Sequence, residues 1–346
     1  MKKVGICGHL AKQEPTSSGQ VIKTRITVEA AKEKLGEENV QTVDSQGGIK
    51  TVPRMLWQVL HLFARCENIV MMPAYKGVRF FTPVCALYQK FFHRKLHYIV
   101  IGGWLAGFLD EYPHLAVMLR KWNGIYVETS AMKAALEEKG FENVVVMPNY
   151  KPLHIVKPEE MKETAKEPYA LCTFSRVMQE KGIEDAIDAV NAVNRKAGET
   201  VYTLTIYGKV EHGYEQRFAE LQQEFPEYIR YGGLISYEKS TEQIRKCFAL
   251  LFPTHLFKTE GVPGTIIDAY AAGVPVIASE WENFRDVVEN GKTGIVYSAA
   301  DTEALARILE ECAQKPEMLN GMKQNCLQKA EEYLPQKALA PLWERL

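Results

Sequence analysis

Two acidic residues lie either side of a predicted helix start in the segment TEGVPGTIIDAYAAGVPVIAS (259–279). Glu260 falls in a loop broken by proline and glycine, and Asp268 falls about one turn inside the helix that we expect to begin at Gly264–Thr265. Free backbone N–H groups at a helix N-terminus attract anions, and glycine lets a phosphate approach the backbone closely. Carboxylates instead accept hydrogen bonds from hydroxyl groups. The order hydroxyl, phosphate, hydroxyl indicates a nucleotide sugar.

Each acid also has a simpler interpretation. A carboxylate in the first turn of a helix commonly complements the helix dipole, which is worth roughly 0.3–1 kcal/mol, and this could be the whole role of Asp268. Glu260 could be a solvated loop residue.

A second candidate element is the segment TFSRVMQEKGIEDAIDAV (173–190). A strand is predicted to end at Ser175, and Arg176 and Lys181 flank a short loop before a helix that starts at Gly182. Arginine can bind a phosphate through two parallel hydrogen bonds, and lysine acts as a point charge. The pair suits a diphosphate, although both could be solvated surface charges.

Two further strand ends carry weaker signals. Gly208 and Lys209 follow the strand in IYGKVEHG (206–213), and Leu234 follows a glycine pair in RYGGLIS (230–236). Gly208 would permit close approach of a ligand to the backbone, and Leu234 could hold a nucleobase. A plain tight turn explains either segment equally well.

Strand-like and helical patterns alternate along the whole chain of 346 residues. This alternation predicts an α/β protein with parallel sheets covered on both faces. The predicted strands are 2–7, 40–44, 68–73, 97–101, 124–129, 143–148, 169–175, 201–208, 228–233, 249–254, 274–279 and 294–297. The predicted helices are 19–35, 51–65, 79–92, 130–139, 182–194, 213–224, 238–247, 264–272 and 301–313.

The series breaks near 149–168, a segment rich in proline and charge that is typical of a domain boundary. We expect an N-terminal domain over 1–152, a C-terminal domain over 153–332, and a tail over 333–346 that packs back on the first domain. Ligands bind beyond the carboxyl ends of parallel strands, so two such domains would face a shared cleft.

The run EGVPGTIIDAYAAGVPVIAS, with FSRVMQEKG, IYG and VMPN upstream, resembles the retaining glycosyltransferases of the GT-B fold, family 4 type (glycosyl transferases group 1). The resemblance covers 169–297 well and the N-terminal half only in pattern. It implies two Rossmann-like doubly wound domains facing a cleft, with the acceptor in the N-terminal domain and the nucleotide sugar in the C-terminal domain.

The resemblance also implies residue roles. Arg176 and Lys181 match the positions that neutralise the donor diphosphate, and Glu260 matches the acid that contacts the transferred sugar; these three are the expected catalytic residues. Asp268 matches the acid that holds the ribose. The residues that we expect to bind the donor are Gly19, Gln20, Gly208, Lys209, Leu234, Gly264, Thr265 and Asp268.

The chain departs from the family pattern at three places. The second acid is Asp268 rather than glutamate, and EWENFRD (280–286) replaces a frequent Gly-Gly turn. Many relatives carry a histidine where this chain has GGWLAG (102–107). Gly102, Gly103 and Trp104 could shape the acceptor pocket there, or Trp104 could be structural.

Other chemistries have little support in the sequence. The net charge of −1 argues against nucleic acid as a partner, and the seven cysteines form no CxxC pair. The motifs of dinucleotide-binding proteins, phosphate-loop nucleotidases, zinc proteases and serine hydrolases are lacking, as is D-x-D. We therefore expect no metal and no cofactor besides the nucleotide sugar.

The segment VRFFTPVCALYQKFFHRKLH (78–97) mixes cations with aromatic residues. Residues 1–150 carry 19 Lys/Arg and 13 Asp/Glu, and the range 51–100 has seven basic residues and one acid, Glu67. We expect a cytoplasmic protein that contacts the inner face of the membrane through 78–97. The alternative is an amphipathic helix whose phenylalanines belong to the core. The basic residues are Arg79, Lys90, Arg94 and Lys95, and the aromatic ones are Phe80, Phe81, Phe91 and Phe92.

The predicted function is that of a retaining, metal-independent glycosyltransferase in polysaccharide or glycoconjugate biosynthesis. It would move a sugar from a nucleotide-sugar donor to a saccharide or a lipid-linked saccharide. The alternatives are a catalytically degenerate nucleotide-binding subunit and a GT-B epimerase or phosphorylase.

Overall fold

The computed structural model describes residues 1–11, 19–46, 51–161, 167–256 and 260–346. The expected loop before Gly19, part of the expected linker and Thr259 lie outside these residues. Contacts divide the chain into one unit of Met1–Pro152 with Tyr333–Leu346 and a second unit of Leu153–Glu332. We call them the N-terminal and C-terminal units.

The N-terminal unit contains a six-stranded parallel sheet in the order β2-β1-β3-β4-β5-β6. Its strands are β1 (Lys2–Gly8), β2 (Val40–Asp44), β3 (Cys66–Met72), β4 (Lys95–Ile99), β5 (Gly124–Val127) and β6 (Val144–Val146). Its first helices are α1 (Gly19–Leu35), α2 (Val52–Arg65), α3 (Tyr75–Phe92), α4 (Leu105–Glu111), α5 (Pro113–Leu119) and α6 (Ser130–Glu137).

Strand β3 illustrates why this sheet forms. Ile69 and Met71 point into one hydrophobic cluster, and Val70 and Met72 point into another. Successive side chains of a strand face opposite sides of a sheet, so a strand buried on both faces reads as a continuous apolar run.

The C-terminal unit has its own six-stranded parallel sheet in the order β12-β11-β10-β7-β8-β9. Its strands are β7 (Tyr169–Phe174), β8 (Tyr202–Tyr207), β9 (Ile229–Gly233), β10 (Ala249–Phe252), β11 (Val276–Ser279) and β12 (Gly294–Tyr297). Its helices are α7 (Ile183–Ala197), α8 (Glu215–Gln223), α9 (Ser240–Ile244), α10 (Gly264–Ala271), α11 (Phe284–Val287), α12 (Thr302–Gln314), α13 (Glu317–Asn320) and α14 (Lys323–Ala330).

The last residues of the chain belong to the core of the N-terminal unit. Helices α15 (Pro335–Ala338) and α16 (Ala340–Trp343) place Leu339 and Leu342 in the same cluster as Val70. The Asn68 side-chain amide donates to the Leu346 carbonyl over 3.2 Å, which fastens the terminus beside β3.

The twelve predicted strands are all present, each within three residues of its expected bounds. Helices α4 and α5 were missed because each spans two turns and Pro113, at the start of α5, interrupts the pattern. Helix α3 contains the predicted helix 79–92 and begins four residues earlier, and membrane contact through 78–97 stays a prediction. Helix α3 ends at Phe92, His93 adopts a left-handed conformation (φ 51°), and Lys95 opens β4. Within the described ranges, no helix is both long and apolar enough to cross a bilayer.

Candidate functional site

In the C-terminal unit, the strand order reverses beside β7, which lies between β10 and β8. Ligands of doubly wound sheets bind outside the carboxyl ends of the strands at such a switch point. The loops that follow β7 and β10 therefore define the candidate site. Lys181 lies on the first loop, and Glu260 lies on the second.

Gly182 allows these two loops to touch. It precedes α7 with φ of +65°, and a Cβ placed on it would overlap the Pro253 carbonyl oxygen. Only glycine meets both requirements without strain. The contact is reinforced because the His255 N–H donates to the Glu180 carbonyl over 2.8 Å.

Lys181 and Glu260 form an ion pair across the two loops. Their side chains are 10% and 13% exposed, and the Lys181 Nζ lies 5.5 Å from the centre of the Phe252 ring. A partly buried pair of this kind is screened less by solvent and salt than a surface pair. The structure thus brings together two of the three expected catalytic residues.

The segment EWENFRD, which departs from the family pattern, holds the loop that carries Glu260. The indole N–H of Trp281, a fully buried residue, donates to the Gly261 carbonyl over 3.2 Å. The Asn283 amide donates to the Glu260 carbonyl over 2.7 Å. Sequence reasoning missed both residues, although the departure itself marked the segment.

Helix α10 begins at Gly264, as predicted, and Pro263 before it provides no side-chain cap. Gly264 is exposed, and a Cβ placed on it would meet no atom within 4 Å. The Thr265 hydroxyl oxygen is buried without a hydrogen-bond partner among the described residues. An uncapped helix start with open space before it suits an anion.

Asp268 is 4% exposed and is bound from α9. The Ser240 hydroxyl donates to its Oδ2 over 2.6 Å, and the Thr241 hydroxyl lies 3.5 Å from its Oδ1. These contacts tie α10 to α9. Sequence reasoning missed Ser240 because a buried serine has no distinctive pattern. The ribose-binding role of Asp268 stays a prediction.

Arg176 lies on the same loop as Lys181 but has a different partner. Its guanidinium donates to Glu211 over 2.9 Å, and its side chain is 60% exposed. This hydrogen bond holds the pKa of the Glu211 carboxyl below its usual value, and the nearby Lys209 contributes in the same direction. The side chain of Lys209 is exposed, so both cations are open to solvent.

The residues at the ends of β8 and β9 contact each other and the end of β7. Gly208 has φ of +139°, and a Cβ there would overlap the Ser175 carbonyl. Its N–H donates to the Gly233 carbonyl over 2.9 Å, so the close approach that Gly208 permits is between segments of this unit. Leu234 projects into solvent and is 70% exposed.

The expected acceptor residues lie after β4 in the N-terminal unit. Gly102 has φ of +83°, and the Trp104 indole donates to the Ile101 carbonyl over 2.8 Å. Trp104 also packs on Phe108, with ring centres 5.4 Å apart. These contacts give Trp104 a structural role in the local fold. Gly103 is half-buried.

Helix α1 carries the two expected donor residues of the N-terminal unit. Gly19 is exposed at its start, and the Gln20 amide donates to the Met72 carbonyl at the end of β3 over 3.2 Å. One turn further, Lys23 forms a buried ion pair with Glu128 at 2.7 Å. The pair, which sequence reasoning missed, fixes α1 against the loop after β5.

The described part of the chain holds no group of three or more His, Cys, Asp or Glu side chains arranged to bind a metal ion.

Comparison with known proteins gives a family match within the C-terminal unit. Residues 168–315 match the family model described as Glycosyl transferases group 1. The matched region covers less than half of the chain. It includes Arg176, Lys181, Glu260 and Asp268.

The curated relatives of this chain are distant in sequence. It is 24% identical over 166 residues to the amylovoran biosynthesis glycosyltransferase AmsK of Erwinia amylovora, which covers 46% of this chain and 40% of that protein. It is also 24% identical over 224 residues to the glycogen synthase of Mycobacterium tuberculosis H37Rv, covering 62% and 52%. The chain therefore spans about half or less of the length of these relatives.

Solved structures match over nearly the whole chain. Anabaena Alr3699/HepE in complex with UDP superimposes with a TM-score of 0.75 at 16% identity, covering 99% of both chains. The sucrose-phosphate synthase of Thermosynechococcus elongatus gives 0.73 at 14% identity, covering 99% of this chain and 98% of that one. The chain thus has the predicted GT-B fold.

Proposed function

We propose that this protein is a retaining, metal-independent glycosyltransferase whose C-terminal unit binds a nucleotide-sugar donor. The observation that carries the proposal is the juxtaposition of Lys181 and Glu260 at the switch point of the sheet, beside the uncapped start of α10. A cation, a carboxylate and a helix start in one place match the phosphates and hydroxyls of such a donor.

The donor would change the partners of these side chains. Its diphosphate would lie against Gly264 and Thr265 and take the place of Glu260 as the partner of Lys181. Glu260 would then bind the hydroxyl groups of the sugar. Arg176, which lies in solvent beside Glu211, would turn to the diphosphate from the other side.

The remaining donor contacts follow from the same placement. Asp268 would hold the ribose, exposed Leu234 would cover the nucleobase, and Lys209 would add positive charge. Alr3699/HepE has been solved with UDP, with UDP and glucose, and with UDP-glucose. This supports a uridine diphosphate sugar as the first donor to test.

Transfer of the sugar to the acceptor then needs few protein groups. The bond between the anomeric carbon and the diphosphate breaks while the acceptor oxygen forms a bond on the same face of the sugar. Lys181, Arg176 and the N–H groups of α10 stabilise the negative charge that grows on the leaving diphosphate. The diphosphate takes the proton of the acceptor hydroxyl. Glu260 offsets the positive charge at the anomeric carbon.

For the acceptor we propose a saccharide or a lipid-linked saccharide, bound by the N-terminal unit near Gly102, Gly103 and Trp104. Gly19 and Gln20 remain proposed donor-binding residues. A role in polysaccharide or glycoconjugate biosynthesis is supported by the name of the AmsK relative, an amylovoran biosynthesis glycosyltransferase. A cytoplasmic location with peripheral contact to the inner face of the membrane fits a lipid-linked acceptor.

A nucleotide panel tests the donor assignment. We expect UDP or another nucleoside diphosphate to raise the melting temperature, with no need for a divalent ion and no effect of a chelator. Incubation with the matching sugar nucleotide and saccharide acceptors should then give a product with the donor's anomeric configuration by NMR.

Other outcomes would replace the proposal. An inverted product, or activity that a chelator abolishes, would refute the retaining, metal-independent mechanism. Nucleotide binding without turnover on any acceptor would indicate a degenerate binding subunit. Epimerisation or phosphorolysis in the absence of acceptor would indicate one of the other GT-B activities.

A further inference from the structure

The N-terminal unit contains a cavity of about 720 Å³ between α3 and α5. Leu96 and Trp122, both buried, are among the residues that line it, as is Met118. Leu87 of α3 and Val117 of α5 line it from the two helices. The volume falls in the range of small-molecule sites, about 300–1,000 Å³, and the lining is mostly apolar.

Large apolar side chains around this cavity are exposed to water. Leu87 is 52% exposed, Val117 is 53% exposed, and Phe91 is 73% exposed. Leu87 and Phe91 are four residues apart on α3 and therefore lie on the same face of the helix. A concentration of exposed apolar surface beside an apolar cavity marks a place where something binds.

The rim of the cavity is positively charged. Its two charged lining residues, Lys90 and Lys121, are both exposed. Among the described residues that line the cavity there is no acid. The occupant should therefore combine an apolar body with an anionic group.

We propose that this cavity receives a hydrocarbon chain of an anionic membrane lipid while Lys90 and Lys121 contact the lipid headgroup. A bilayer presents this chemistry in the required order, with charge at the surface and acyl chains beneath it. The inference rests on the membrane contact of the proposed function but is independent of donor binding and of sugar transfer.

The site keeps Lys90 and Phe91 from the residues that the sequence suggested but excludes Arg94, Lys95 and Phe81. Arg94 donates to the Phe63 carbonyl over 2.8 Å, and Lys95 donates to the Arg345 carbonyl over 3.2 Å. Phe81 is 4% exposed and belongs to the core. Charge reversal at 94 and 95 would therefore disturb the fold, whereas Lys90 and Lys121 can be changed at the surface.

Vesicle co-sedimentation of the full chain tests the charged part of the site. We expect binding to phosphatidylcholine vesicles with roughly one-third phosphatidylglycerol and weak binding to phosphatidylcholine alone, because a surface lysine adds on the order of 1 kcal/mol near an anionic membrane. The variant Lys90→Gln/Lys121→Gln should bind about thirtyfold more weakly. The control Lys34→Gln/Lys133→Gln, with the same net charge, should retain more of the binding.

Trp122 reports whether a chain enters the cavity. Lipids with brominated acyl chains should quench its fluorescence, and the variant Trp122→Phe should lose that part of the quenching. The variant Ala86→Phe narrows the cavity and should abolish the quenching while it leaves sedimentation with anionic vesicles nearly unchanged.

Three results would overturn the inference. The first is that the two double variants weaken vesicle binding equally. The second is that Trp122→Phe does not reduce the fluorescence quenching by brominated lipids. The third is that a protein segment binds saturably and vesicles do not displace it. A UDP-induced rise in melting temperature, measured on the same samples, shows whether the donor site is intact. A failure of lipid binding can thus be told from a failure of the proposed function.

Discussion

Lys181 and Glu260, which are 79 residues apart in the chain, neutralise each other at the carboxyl edge of the C-terminal sheet, with side chains only 10% and 13% exposed. The two loops are held in contact by Gly182 and by the hydrogen bond from His255 to Glu180. In the proposed donor complex, a phosphate would take the place beside the Lys181 ammonium that the Glu260 carboxylate occupies. Under the proposed function, donor binding therefore has to break this ion pair.

Lys181→Ala should lower kcat by about 10²–10³, because the loss of one preorganised donor to a developing oxyanion has that effect. Steady-state kinetics with the donor found by the nucleotide panel measures it. The control is Lys315→Ala, which removes an exposed cation immediately after α12. This variant should leave kcat unchanged. Turnover of Lys181→Ala close to wild type would remove Lys181 from the mechanism.

Trp281 and Asn283 should act by positioning Glu260. Trp281→Phe leaves the Gly261 carbonyl without its donor, and Asn283→Leu does the same for the Glu260 carbonyl. An unpaired buried carbonyl costs about 1–3 kcal/mol, which the loop can relieve by moving. We expect kcat to fall about tenfold or more in either variant.

The affinity for the nucleoside diphosphate alone separates positioning from general damage. Under the proposed function, UDP-type ligands bind at Lys181 and α10 rather than at Glu260, so their dissociation constants should stay within a factor of about two to three in both variants. Glu282→Gln, at an exposed neighbouring position, should behave as wild type. A parallel loss of nucleotide affinity and turnover would argue for a simple folding defect.

The sequence predicted the strands better than it predicted which loops and side chains contact one another. Continuous apolar runs such as NIVMMP identify buried parallel strands, and the start of α10 followed from its proline and glycine. Neither pattern reports which loops meet, because strand order is decided by packing of the whole sheet. The Lys181–Glu260 pair therefore appears only in the structure.

The burial of charged side chains was also not predicted from the sequence. Lys23 and Glu128 are 105 residues apart, and their side chains are 4% and 5% exposed. A lysine or glutamate in a sequence reads as surface, since both are rarely buried unless they are paired. Nothing in either local segment reveals the partner, so burial of the pair could not be predicted.

Gly182→Ala should destabilise the C-terminal unit far more than a change at another glycine of the same conformation. Gly182 and Gly198 both have positive φ, of 65° and 73°, at the two ends of α7. A Cβ at Gly182 would overlap the Pro253 carbonyl, whereas a Cβ at Gly198 would meet no atom within 4 Å. Alanine in the left-handed region costs roughly 1–2 kcal/mol by itself.

Urea unfolding can separate the two contributions. We expect Gly198→Ala to lose about 1–2 kcal/mol in the free energy of unfolding and Gly182→Ala to lose at least a further 2 kcal/mol or so from the forced separation of the loops. Gly182→Ala should also weaken nucleotide binding. Equal destabilisation of the two variants would mean that the contact with Pro253 is easily relaxed.

His97 should make the stability of the N-terminal unit depend on pH. It is fully buried in β4, with its ring nitrogens near the Tyr126 hydroxyl and the Asn68 amide oxygen. Burial, with smaller contributions from Lys95 and Arg345, lowers the pKa of His97 to about 4 from its usual 6.5. Because the folded state keeps the ring neutral, the unfolded state binds the proton first as the pH falls. The free energy of unfolding should therefore be unaffected above about pH 6.5 and decline between that value and pH 4.

The expected decline is about 2 kcal/mol between roughly pH 7.5 and pH 5, from the linkage of one proton to unfolding. Equilibrium unfolding of His97→Gln at these two pH values should give a smaller difference by that amount, whatever the absolute stability of the variant. His154→Gln, at an exposed position, should reproduce the wild-type difference. If His97→Gln kept the full pH dependence, the decline would have to come from other groups, and the buried imidazole would be protonated in the folded unit at pH 5.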